Sequence, residues 1–146
     1  MSLPDTRAQE TRGAAFDPVG VWHLVAYHDV DDDGGVSDGP LGSTPRGMLL
    51  YTADGHMAVS MMRAPDGPDG PERGDGGSET FMGYAGRWRL EGGRMVHEVA
   101  VSAHPFMVGT RQIRHLRVDG GDLVLTGVAQ GGEHQQRRIL RWRRAG

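Results

Sequence analysis

The chain predicts an all-β fold, a single antiparallel up-and-down barrel of about eight strands, and three observations carry that expectation. Short apolar/polar alternations recur from Gly20 to Trp142, the period of strands with one face inside and one in solvent. Tight Gly and Asp turns divide them, and 24 glycines beside 37% hydrophobic residues suit a turn-rich β protein better than a helical bundle. The first run opens on Gly20-Val21-Trp22, placing a large aromatic at the start of a strand.

Residues 1–16 are polar and read as a disordered tail, leaving 17–146 as the barrel domain. Strands are expected at 20–28, 46–52, 56–62, 83–90, 94–102, 109–118, 122–129 and 134–143. Asp54-Gly55 joins the second run to the third, Gly92-Gly93 the fourth to the fifth, and Asp119-Gly120-Gly121 the sixth to the seventh. These dipeptides supply the positive φ angles that hairpin turns demand, and consecutive hairpins build a meander whose closure removes exposed edges. Two connections are long. Residues 29–45 begin with an Asp-rich segment, and 63–82 is rich in Gly, Pro and Asp before ending in Phe81-Met82. Loops of that length are expected to rim the open mouth, with Phe81 and Met82 as an apolar plug.

Alternation assigns the interior. With Trp22 inward, Leu24, Ala26 and His28 follow, leaving His23 and Tyr27 outside. Later strands turn Leu49, Tyr51, Met57, Val59 and Met61 inward, then Tyr84, Gly86, Trp88 and Leu90. Met95, His97, Val99 and Val101 follow, then Thr110, Gln112, Arg114, Leu116 and Val118, and lastly Leu140 and Trp142. The interior is thus apolar with a few polar groups. An inward arginine and histidine are costly unless they pair with each other or with a ligand.

Composition narrows the chemistry. No apolar run approaches the roughly 18–20 residues of a membrane helix, and the N-terminus lacks the apolar core of a secretory signal, so a cytoplasmic protein is expected. With no cysteine there are no disulfides, thiolate metal sites or cysteine nucleophiles. All basic residues are arginine, so Schiff-base chemistry and a P-loop lysine are absent too. A net charge of −3 gives no general attraction for nucleic acid. The cluster Arg137, Arg138, Arg141, Arg143 and Arg144 reads as a solvated, edge-protecting face. Asp29, Asp31 and Asp33 resemble the start of a calcium loop, but its twelfth position is Pro40 where a glutamate is needed, and a solvated acidic loop is favoured. His97 faces in and His115 out, which argues against zinc, and no motif supports haem. No metal or cofactor is expected.

The segments Gly20-Val21-Trp22-His23-Leu24-Val25, Gly47 through Met57, Tyr84-Ala85-Gly86-Arg87-Trp88, Val96-His97-Glu98-Val99, Pro105 through Arg114 and Leu140-Arg141-Trp142-Arg143 occur in one order across residues 20–143. Together they resemble the bacterial and fungal lipocalin-like domain family of small stand-alone barrels. The resemblance implies a lipocalin- or calycin-like barrel with a central pocket. Similar barrels in natural-product pathways bind or cyclise polyketide- or terpenoid-like intermediates, and the chain departs from the family pattern in a short, poorly helical 63–82 segment.

Three readings stand on these residues. In the first, the barrel binds a small, largely hydrophobic organic molecule lined by Trp22, Tyr51, Met57, Phe81, Tyr84, Trp88, His97, Gln112 and Arg114, with an anionic or enolic oxygen suited to Arg114. In the second it is a cofactor-free cyclase or isomerase, His97 moving a proton and Arg114 stabilising oxyanion charge. In the third the barrel is filled and acts through its surface. A monomer or homodimer suits all three.

Overall fold

The computed structural model describes residues 16–65, 81–131 and 134–145, with side chains described except over 128–136. Among the described residues nine strands form one antiparallel sheet: β1 (Gly20–Val30), β2 (Val36–Asp38), β3 (Pro45–Tyr51), β4 (His56–Arg63), β5 (Phe81–Glu91), β6 (Arg94–Ser102), β7 (Arg111–Asp119), β8 (Asp122–Gly131) and β9 (His134–Arg144). Eight of them meet their chain neighbours in order, and β9 returns to β1 along Trp22–Val30, closing the barrel. The ninth, β2, is a short strand within the long 29–45 connection. It pairs with the last residues of β1 beside the stretch occupied by β3. A single 3-10 turn, Pro105–Met107, lies between β6 and β7. No helix among the described residues is long and apolar enough to cross a membrane. The expected tail lies outside the described residues except for Phe16, which packs against Trp22 with ring centroids 6.1 Å apart. Most of the expected 63–82 loop, residues 66–80, also lies outside them.

The tight turns at Asp54-Gly55, Gly92-Gly93 and Gly120-Gly121 gather at one end. Gly92 and Gly93, both at positive φ (54° and 80°), turn the chain between the paired Glu91 and Arg94, the geometry of a two-residue hairpin in which both central residues have left-handed backbone. That end is filled. Trp22, Leu49, Met95 and Leu123 are fully buried, with Tyr51, Met57 and Trp142 nearly so. The Trp22 indole Nε1–H donates to Pro18 O at 2.9 Å, and the Arg144 guanidinium lies 4.3 Å from its ring centroid while donating to the Asp17 and Val19 carbonyls. Polar groups thus seal the base without leaving the buried Trp22 indole N–H unpaired.

Two bulges change the alternation. In β1 the register against β9 shifts between Leu24 and Ala26, so Val25 is an extra residue. Beyond it the inward set becomes Tyr27 (5% exposed) and Asp29 (8%), in place of the expected Ala26 and His28. In β6, Gly86 pairs with Val99 and Ala85 with Val101, leaving Ala100 extra and turning Val101 out to solvent at 65% exposure. A bulge inserts one residue on one strand only, so every later side chain changes face. Gly86 marks the close approach there: a Cβ on it would lie 1.8 Å from the Glu98 carbonyl oxygen. Leu90 and Val118, expected inside, are also exposed, at 41% and 43%, close to their hairpin turns.

The C-terminal arginines do not guard an edge, since the closed barrel leaves β9 paired on both sides. Arg141 and Arg143 both donate to Asp122, and these bonds hold its carboxyl down at about 2.

Candidate functional site

A cavity of about 550 Å³ occupies the half of the barrel away from the tight turns. Pro40 of the 29–45 connection and His104, Phe106 and Met107 of the connection between β6 and β7 reach the cavity wall there. Below them Leu49, Val59, Met61, Leu125, Leu140 and Trp142 form an apolar lining. Each comes from an inward position of its strand, so the alternation that folds the sheet also makes the lining greasy.

The polar part of the wall is built around His97. Tyr51 OH lies 2.7 Å from His97 Nε2, and Tyr84 OH lies 2.6 Å from His97 Nδ1. Tyr51 on β3, His97 on β6 and Tyr84 on β5 are thus joined through three strands. The imidazole is 3% exposed. Burial, helped by the positive charge of Arg114, pushes its pKa down to about 3, so the ring is neutral at physiological pH. Burial pushes the Tyr84 hydroxyl up to about 12 and the Tyr51 hydroxyl well above its ordinary value. Both therefore keep their protons. Tyr51 also packs on Trp88, ring centroids 5.1 Å apart, and the Trp88 indole donates to Thr52 O.

Arg114 approaches from β7. Its aliphatic stem crosses Gly127 of β8, where a Cβ would sit 2.8 Å from Arg114 Cδ. The guanidinium donates to Ile113 O at 3.2 Å and, over a long 3.4 Å, to Gln112 Oε1. Gln112 is oriented in turn by donating to Thr110 Oγ1, which donates to Met107 O. Among the described residues no carboxylate pairs with Arg114. A second polar group sits at Arg138 of β9, whose Nε lies 3.4 Å from Asp29 Oδ1 and whose Nη1 lies 3.5 Å from Tyr27 OH. Burial raises the pKa of Asp29 against the opposing pull of Arg138.

Of the residues expected at the site, Tyr84, His97, Gln112 and Arg114 meet at the cavity. Trp22, Met57 and Trp88 do not line it, nor does Tyr51, which stands behind His97. These four belong to the turn-rich half that the core fills. Phe81 is 46% exposed and points away from the lining, and its neighbour Met82 takes the inward position. Sequence reasoning missed Tyr27 and Arg138. The first is turned inward by the β1 bulge, and the second was read as part of a solvated cluster. It also missed the 3-10 turn, although Pro105 at its start was a signal. Asp29, Asp31 and Asp33 do not converge as a calcium loop requires. Asp29 faces the barrel interior towards Arg138, and among the described residues no group of three His, Cys, Asp or Glu side chains is placed to hold a metal.

The arrangement can enclose an apolar molecule and offer it polar contacts at two places on the wall, one around His97 and Arg114 and one at Arg138 beside Asp29. The family model of the lipocalin-like domain matches residues 19–145. No curated protein matches the chain.

Proposed function

The chain belongs to the lipocalin-like domain family, whose barrels suggest small-molecule binding in general, and from that premise we propose that it binds one small, largely hydrophobic organic molecule in the cavity, oriented by Tyr84, Arg114 and Gln112. The observation that carries this reading is the cavity itself. Its volume of about 550 Å³ falls within the roughly 300–1,000 Å³ of small-molecule sites, and its wall is largely apolar, with polar groups around His97 and Arg114 and at Arg138. A filled barrel acting only through its surface does not account for that space. A carbon skeleton with few oxygens, of the polyketide or terpenoid type, suits such a lining.

Binding is favoured over cyclase or isomerase chemistry because of His97. Both ring nitrogens are engaged by tyrosines, and a pKa of about 3 makes the ring a poor proton acceptor near neutrality. Native mass spectrometry of the purified protein, beside the same sample denatured, tests the reading. A stoichiometric small-molecule mass lost on denaturation is expected. Where the protein is purified bare, it should take up one equivalent of the apolar fluorophore N-phenyl-1-naphthylamine, and failure to bind it saturably refutes the reading.

A further inference from the structure

We propose that Tyr51, His97 and Tyr84 form a one-way hydrogen-bond relay that presents the Tyr84 hydroxyl hydrogen to the cavity, so that the ligand carries a carbonyl-type acceptor oxygen against Tyr84. The inference deepens the binding reading above and rests on it.

The direction of the relay follows from counting donors and acceptors. A neutral imidazole has one N–H and one bare nitrogen, so one tyrosine must donate to His97 and the other must accept from it. Tyr51 is 2% exposed, and among the described residues His97 Nε2, at 2.7 Å, is its hydroxyl's only hydrogen-bond partner. If Tyr51 accepted from Nε2, its own hydrogen would be buried without an acceptor, at a cost of about 1–3 kcal/mol. Tyr51 therefore donates to Nε2, the proton of His97 sits on Nδ1, and Nδ1–H donates to Tyr84 at 2.6 Å. The Tyr84 oxygen is then occupied as an acceptor, and among the described residues its hydrogen has no partner. Tyr84 is on the cavity wall, so the free hydrogen is offered to whatever fills the cavity.

The neighbouring groups favour the same ligand polarity. Arg114 has only donors, and the Gln112 amide oxygen beside it faces that guanidinium. Each donor in the chain polarises the next, which strengthens the last hydrogen bond. A protonated amine at this place would meet donors with donors, and a hydroxyl, although it could accept from Tyr84, would have to find an acceptor for its own hydrogen elsewhere. A carbonyl oxygen, or the enolate derived from it, meets Tyr84 with a lone pair and Arg114 with negative charge. His97 is on this account a positioning residue: it acts through Tyr84 and never touches the ligand.

Two measurements test the relay. In protein labelled with nitrogen-15, the imidazole resonances of His97, assigned by their loss in His97→Gln, are expected to show the Nδ1–H tautomer. The Nε2–H tautomer overturns the proposal. The second uses benzophenone and 1,1-diphenylethylene, a pair of near-equal shape differing by C=O against C=CH2, titrated by tryptophan fluorescence. The ketone is expected to bind about tenfold more tightly, the net worth of one hydrogen bond. Tyr84→Phe should bring the ratio to about one, with a far-UV circular dichroism spectrum like that of the unaltered protein showing that the variant is folded; a ratio that stays near ten in the folded variant overturns the relay. Equal binding of the two by the unaltered protein overturns the relay and leaves the cavity reading standing. Binding of neither refutes the cavity reading, and the relay falls with it.

Discussion

Replacing His97 by glutamine should flatten the loss of stability on acidification, by an amount that the burial of the ring sets. The folded imidazole has a pKa of about 3 against an ordinary 6.5, because desolvation and the Arg114 charge both disfavour the imidazolium. As pH falls through the ordinary value, the unfolded chain takes up a proton that the folded barrel refuses. Stability contributed by the neutral ring is therefore full above that value and declines at about 1.4 kcal/mol per pH unit until the folded pKa is reached. Between roughly pH 7.5 and pH 4.5 this amounts to about 3 kcal/mol. Glutamine keeps one acceptor and one donor for Tyr51 and Tyr84 but does not titrate. The other ionisable groups, including Asp122 with its depressed pKa, contribute alike to both proteins and cancel in the difference. Urea unfolding followed by tryptophan fluorescence at a series of pH values supplies the two profiles. The unaltered protein should lose about 3 kcal/mol more than His97→Gln over that interval. Parallel profiles would refute a buried neutral histidine at this position.

Two further outcomes follow from glycines. Gly86→Ala places a methyl 1.8 Å from the Glu98 carbonyl oxygen. Backbone cannot yield as a side chain can, so the β5–β6 pairing must open, and a loss above roughly 3 kcal/mol is expected in a chemical or thermal melt; a shift of only a few degrees would show that the bulge at Ala100 absorbs the methyl. Gly127→Ala pushes instead on the flexible Arg114 stem, 2.8 Å away, and should leave the fold intact while moving the guanidinium. Affinity for the anionic fluorophore 1-anilinonaphthalene-8-sulfonate should then fall several-fold, up to about tenfold, with N-phenyl-1-naphthylamine unaffected. Equal loss for both probes would remove Arg114 from ligand recognition.

The sequence by itself determined the barrel, its hairpins and part of its lining. Alternation is a local property, and turn glycines act within two residues of where they stand, so β3 to β6 and their inward residues Leu49, Val59, Met61 and His97 were legible from the chain. Gln112 and Arg114 were legible for the same reason. What alternation cannot express is an extra residue in one strand of a pair, because a bulge depends on the partner strand. The bulge at Val25 put Tyr27 and Asp29 inside, and the bulge at Ala100 put Val101 outside. Nor does alternation say which half of a barrel is filled. Trp22, Met57 and Trp88 share the interior face with Tyr84 and Arg114, yet their height along the strands places them in the packed base. The pairing of His97 with two tyrosines 46 and 13 residues away in sequence was likewise a decision of register. Only once β3, β5 and β6 are set side by side does a lone inward histidine become a neutral, doubly hydrogen-bonded ring.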